Sequence, residues 1–113
     1  MKALLLVVAL ASSVSAFANC NRNAYDGPAC IKFERADGDL NINYQAVVNR
    51  LNSAERAQLR SIQITWIKFR DDSCKFEAES STDETLVNYA CKTRVTLARA
   101  KELRGIYEMR NSL

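Results

Sequence analysis

LRSIQITWIKFRDDSCKFEAESSTDETLVNYACKTRVTLARAKELRGI, residues 59–106, contains no proline and a single glycine, Gly105. Strand-like alternation is scarce in it, while apolar residues recur at helical steps of three and four. Leu59, Ile62, Trp66, Phe69 and Phe76 form the predicted seam of one helix, ending near Ala78. Leu86, Tyr89 or Ala90, Leu97, Leu103 and Tyr107 form that of the next. Glu79-Ser80-Ser81-Thr82-Asp83 is the turn between them, with Ser81 and Glu84 spaced as a capping box. A hairpin turning near residue 82 opposes residues whose numbers add to about 165, and Cys74 with Cys91 satisfies this. The same register sets Ile62 against Leu103, Leu59 against Ile106 and Trp66 against Arg99.

Upstream, Asp26 or Gly27 precedes Pro28, the residue favoured in a first helical turn. The helix starting there carries Phe33, Leu40, Tyr44, Val47 or Val48, and Leu51, with Gly38 weakening it by about 1 kcal/mol. Asn52 with Glu55 is a second capping-box spacing and begins the helix of Leu59. The predicted fold is all-α, a small antiparallel three-helix bundle with short connections.

Further upstream, Met1-Lys2 is followed by the apolar run Ala3 to Ala11 and by Ala16-Phe17-Ala18, the three parts of a secretory leader. Cleavage fits after Ala18 and after Ala16. The run is shorter than the roughly 20 residues that span a bilayer, so no membrane anchor is expected after cleavage. We read 1–18 as the leader and 19–113 as one helical domain, periplasmic or secreted. Removing 18 of 113 residues leaves 95 and takes away one lysine, lowering the formal charge from +3 to +2. All four cysteines remain. An even count in a small exported chain reads as two disulfides. The hairpin pairs Cys74 with Cys91, which leaves Cys20 for Cys30. Each staple matters in a domain this small.

The chain has no histidine, which removes Ser-His-Asp and Cys-His chemistry. The cysteine spacings lack the close pairs of a zinc site, and no cofactor is called for. The mild charge gives no case for nucleic acid. Asp71-Asp72 and Asp83-Glu84 are adjacent pairs that diverge by about 100° on a helix, so neither converges on one substrate atom. The residues give no case for an enzyme.

Asp37-x-x-Leu40-Asn41-x-x-Tyr44, Gln63-x-x-Trp66-x-x-Phe69-Arg70-Asp71-x-x-Cys74, Cys91 and Thr96-x-x-Arg99-x-x-x-Leu103 together resemble the N-terminal domain of the LprI-type lysozyme inhibitors, small exported bacterial proteins. The likeness covers about residues 36–104. It implies a cell-envelope protein whose named activity is lysozyme inhibition. This chain departs from the family in having Glu79 to Asp83 where a glycine-rich turn is usual.

Two readings stand for the motif residues Asp37, Gln63, Trp66, Arg70, Asp71, Thr96 and Arg99. Trp66 fills the bundle, with Arg99 over the indole and Arg70 paired bidentately to Asp37. Alternatively, the arginines project to a partner's carboxylates. The acidic turn also has two readings. Charge in the first turn of a helix is favourable in itself, but Glu79, Asp83 and Glu84 also suit a docking tip for a cationic protein. The resulting expectation is a binding protein that blocks a lysozyme without covalent chemistry. The alternative is an interaction module with another protein partner, favoured by an apolar patch on the first or third helix.

Overall fold

The computed structural model describes residues 20–113, so the leader expected at 1–18 lies outside it. Three helices follow one another: α1 Gly27–Val48, α2 Ser53–Glu79 and α3 Glu84–Ser112. No strand occurs among the described residues.

Each helix start has a local cause. Asp26 is the N-terminal flanking residue of α1, with Pro28 in the first turn. Gly27 is buried because the arm before it folds back, and a Cβ there would collide with the Asn21 carbonyl. The Cys20–Cys30 disulfide ties that arm to α1. The predicted box forms at α2: Glu55 N–H donates to Asn52 Oδ1 at 2.9 Å, and Asn52 N–H donates to Glu55 Oε1 at 3.0 Å. The box expected at Ser81 and Glu84 does not form. The Ser81 hydroxyl donates back to the Ala78 carbonyl at 2.8 Å, closing α2, while Asp83 accepts from Leu86 N–H at 3.1 Å and caps α3. Placing the first helical residue at Glu84 makes Asp83 the cap.

The third helix is the shared wall, packing along both α1 and α2. The Cys74–Cys91 disulfide and the Arg110–Glu55 ion pair show α2 antiparallel to α3. The Phe33–Tyr89 and Arg50–Tyr107 contacts show α1 parallel to α3. Leu40, Tyr44, Val47 and Leu51 close over Ala100 and Leu103 to form the apolar core, with Leu59, Trp66 and Ile106 packed against it.

The expected seam of α2 needs correcting. Ile62, Phe69 and Phe76 are exposed, and the buried residues are Gln63, Arg70, Cys74 and Ala78. The cystine decides this, because Cys74 has to face Cys91 and Phe76 lies roughly 200° around the helix from it. Ile62 therefore does not oppose Leu103. On α3, Leu97 is exposed and Thr96 is buried in its stead. Arg70 occupies the facing space and takes Thr96 as a hydrogen-bond acceptor.

Candidate functional site

The middle of the bundle holds the seven motif residues in two groups, one around the Arg70 guanidinium and one around Arg99, joined through Trp66. Arg70 is 4% exposed. Its plane lies 5.1 Å from the Phe33 ring and 5.3 Å from the Trp66 ring, one from α1 and one from α2. Its Nε donates to Asp71 Oδ1 at 2.9 Å, and Nη1 donates to Thr96 Oγ1 at 3.3 Å. Asp37 stands off at 3.9 Å from Nη1, a single contact instead of the bidentate pair expected. It accepts a hydrogen bond from Asn41 Nδ2 at 3.5 Å, one turn along α1. Burial raises the Asp37 pKa above its ordinary value, because the attraction of Arg70 only partly offsets the lost solvation.

A second arginine meets the same indole. Arg99 Nε donates to Gln63 Oε1 at 3.1 Å, and its guanidinium lies 6.0 Å from the Trp66 ring. Lys92 adds a cation 5.6 Å from the Phe33 ring and 4.0 Å from Asp71. Cations stacked on aromatic rings are worth about 0.5–2 kcal/mol each, most where water is excluded. In this arrangement Arg70 is buried with Nε held by Asp71, the motif acid at the rim, and Nη1 by Thr96.

The acidic turn is arranged differently. Glu77, which sits unfavourably near the end of α2, is held by Arg94 Nη2 through both oxygens at 3.0 and 3.2 Å. Asp83 is half-buried as the cap. Glu79 and Glu84 are exposed, with no ion pair among the described residues. The turn thus presents two unneutralised carboxylates at one end of the bundle.

Two surface features lie outside these predicted residues. A groove of about 630 Å³ runs between the start of α1 and the first half of α3. Tyr25, Pro28, Leu86, Ala90 and Leu97 line it, with Lys32 at its rim. The other feature is the exposed apolar strip of α2. No group of three His, Cys, Asp or Glu among the described residues is placed to hold a metal ion.

With the cluster and both disulfides in place, the comparison with protein families is decisive on kinship. Residues 19–103 match the family described as Lysozyme inhibitor LprI. The chain belongs to the LprI family. The match runs from the N-terminal arm to Leu103 in the core of α3, so it takes in both cystines and all seven motif residues. No curated protein and no solved structure gave a match.

Proposed function

We propose that this LprI-family chain is an exported protein that binds a lysozyme and blocks it without covalent chemistry, catalysing nothing itself. The observation that carries the reading is the family match over residues 19–103. The leader at 1–18, cut after Ala16 or Ala18, delivers it to the periplasm or the exterior, where disulfides persist. No helix among the described residues is long and apolar enough to cross a membrane.

Glu79 and Glu84 are the contacts we assign to the enzyme, with Asp83 adding charge behind them. Lysozymes cleave with two carboxylates flanking the glycosidic bond, and an inhibitor has only to cover that cleft or its rim. A local acidic tip suits the basic surface of animal-type lysozymes and acts over roughly a Debye length. Arg70 and Arg99 keep the tip in place by docking the helices that carry it.

Lysozyme turnover on cell-wall substrate, titrated with the purified oxidised chain, tests this. Hen-type and goose-type enzymes belong side by side. The expected result is loss of activity at a one-to-one ratio, and about a tenfold weaker inhibition by the Glu79→Lys/Glu84→Lys variant at low salt. The absence of inhibition in both enzymes by a folded chain sinks the proposal. Function then moves to the second reading, a module for another protein partner, which the apolar groove between α1 and α3 favours.

A further inference from the structure

The flank of α2 carries a strip of exposed apolar residues. Ile62, Phe69 and Phe76 recur every seven residues and are 49%, 63% and 79% exposed. Seven residues are close to two turns, so the three side chains stand in line over about 21 Å. Thr65, Lys68, Asp72 and Ser73 border a shallow hollow along the same line. Single exposed apolar residues are ordinary; three in line beside a hollow form a patch.

We propose that this strip pairs with the same strip of a second copy, α2 against α2, antiparallel about a twofold axis at Phe69. A twofold interface has to complement itself, so each residue must suit its mirror position. With Phe69 facing Phe69, Ile62 meets the other copy's Phe76. Apolar falls on apolar along the strip. Lys68 and Asp72 lie along one edge of the strip, joined at 2.6 Å within one chain. Across the axis, each lysine comes within one turn of the other copy's aspartate. Two lysines near the centre are then bracketed by two aspartates, and the aspartates stay apart.

The strip is about 21 Å by 10 Å, so pairing buries roughly 400 Å² in total. That is well below the 1,200 Å² or more of a stable complex. The pair is therefore weak and set by concentration. It leaves the two acidic turns free, with the Glu79 positions about 30 Å apart along the paired helices. The pairing does not depend on what those turns bind.

Sedimentation equilibrium of the oxidised chain, from about 10 µM to about 1 mM, reads the pairing directly. The expected result is a mass rising from monomer toward dimer. Phe69→Glu sets two carboxylates face to face and holds the chain monomeric throughout, with unchanged helicity and melting because the side chain is exposed. Lys68→Asp raises the dissociation constant about fivefold, and adding Asp72→Lys restores it to within about twofold. A chain monomeric at every concentration overturns the proposal. So does a Phe69→Glu variant that pairs like the parent, or a double exchange no better than the single. A monomeric parent whose lysozyme inhibition is lost in Phe69→Glu overturns it too and assigns the strip to the enzyme.

Discussion

The two ends of this bundle are held together by different physics. At the end near the α1–α2 connection, Leu40, Tyr44, Val47, Leu51, Ala100 and Leu103 make a hydrocarbon core. Toward the hairpin, the inward residues of α2 are Arg70, Cys74 and Ala78, which bring little hydrocarbon. That end depends on a cystine and on a guanidinium held between two rings. Trp66 joins the two, packing on the apolar cluster with one face of its surroundings and meeting Arg70 with the other. A small chain can thus keep the span of a three-helix bundle with its hydrocarbon cluster at one end, provided the other end is cross-linked and its charges are matched.

If the hydrocarbon end carries most of the stability, Leu103→Ala should show the largest effect. Leu103 is 0% exposed, and emptying such a site costs about 2–5 kcal/mol. Denaturant unfolding of the oxidised chain reads it, and a loss below about 1 kcal/mol would break the comparison. Next in size is removal of the hairpin cystine by Cys74→Ser with Cys91→Ser. The cross-link spans a sequence separation of 17 and is worth about 3 kcal/mol in the chain-entropy model. Hydrogen exchange sharpens this: residues around 74–91 should lose protection first, while the amide of Leu103 keeps its own. Uniform loss along all three helices would mean that the two ends do not differ.

The same contrast explains what was legible in the amino-acid sequence. The apolar end announces itself, since Leu40, Tyr44, Val47 and Leu51 repeat at helical spacing, and Asn52 with Glu55 marks the next start. Hairpin register paired Cys74 with Cys91, and the family resemblance rested on residues that the fold does gather. The seam of α2 was misread because hydropathy assigns Ile62, Phe69 and Phe76 to the interior, whereas Arg70 does lie inside beside Asp37. The cystine held the correction: stepping back from Cys74 by four and by eleven gives Arg70 and Gln63, the buried face. The exposed phenylalanines are then left over, a surplus that a monomer's packing does not use. The groove between α1 and α3 stayed hidden because it needs the fold-back of the arm before Gly27, which no periodicity encodes.

The third test asks whether Arg70 acts through charge or through bulk. Arg70→Ala leaves a gap between the Phe33 and Trp66 rings and takes the nearest cation from buried Asp37. A loss of about 2–3 kcal/mol is expected, and thermal melting measures it. Arg70→Met keeps much of the volume without the charge, so it should recover about half. Full recovery would make the site an ordinary part of the core and erase the contrast between the ends.

The smallest effect is the one that separates the two ends by sign. Burial raises the Asp37 pKa above its ordinary 3.8, against the opposing pull of Arg70. The folded chain therefore holds that proton more tightly than the unfolded one. The resulting stabilisation is fully present below pH 3.8 and is lost as pH rises through the folded value. Glu55, in the capping box at the other end, is lowered from 4.5 by the Asn52 N–H and the Arg110 guanidinium. Its contribution is present above pH 4.5 and is lost as pH falls through the folded value. Acid thus strengthens one end while weakening the other. Melting temperatures at about pH 3 and about pH 7 in the parent, Asp37→Asn and Glu55→Gln check the signs. Asp37→Asn should lose more stability on acidification than the parent, and Glu55→Gln should lose less. A flatter response in Asp37→Asn would mean that attraction to Arg70 outweighs burial. Because Glu55 lies at the surface, its part should shrink with added salt, while that of buried Asp37 persists.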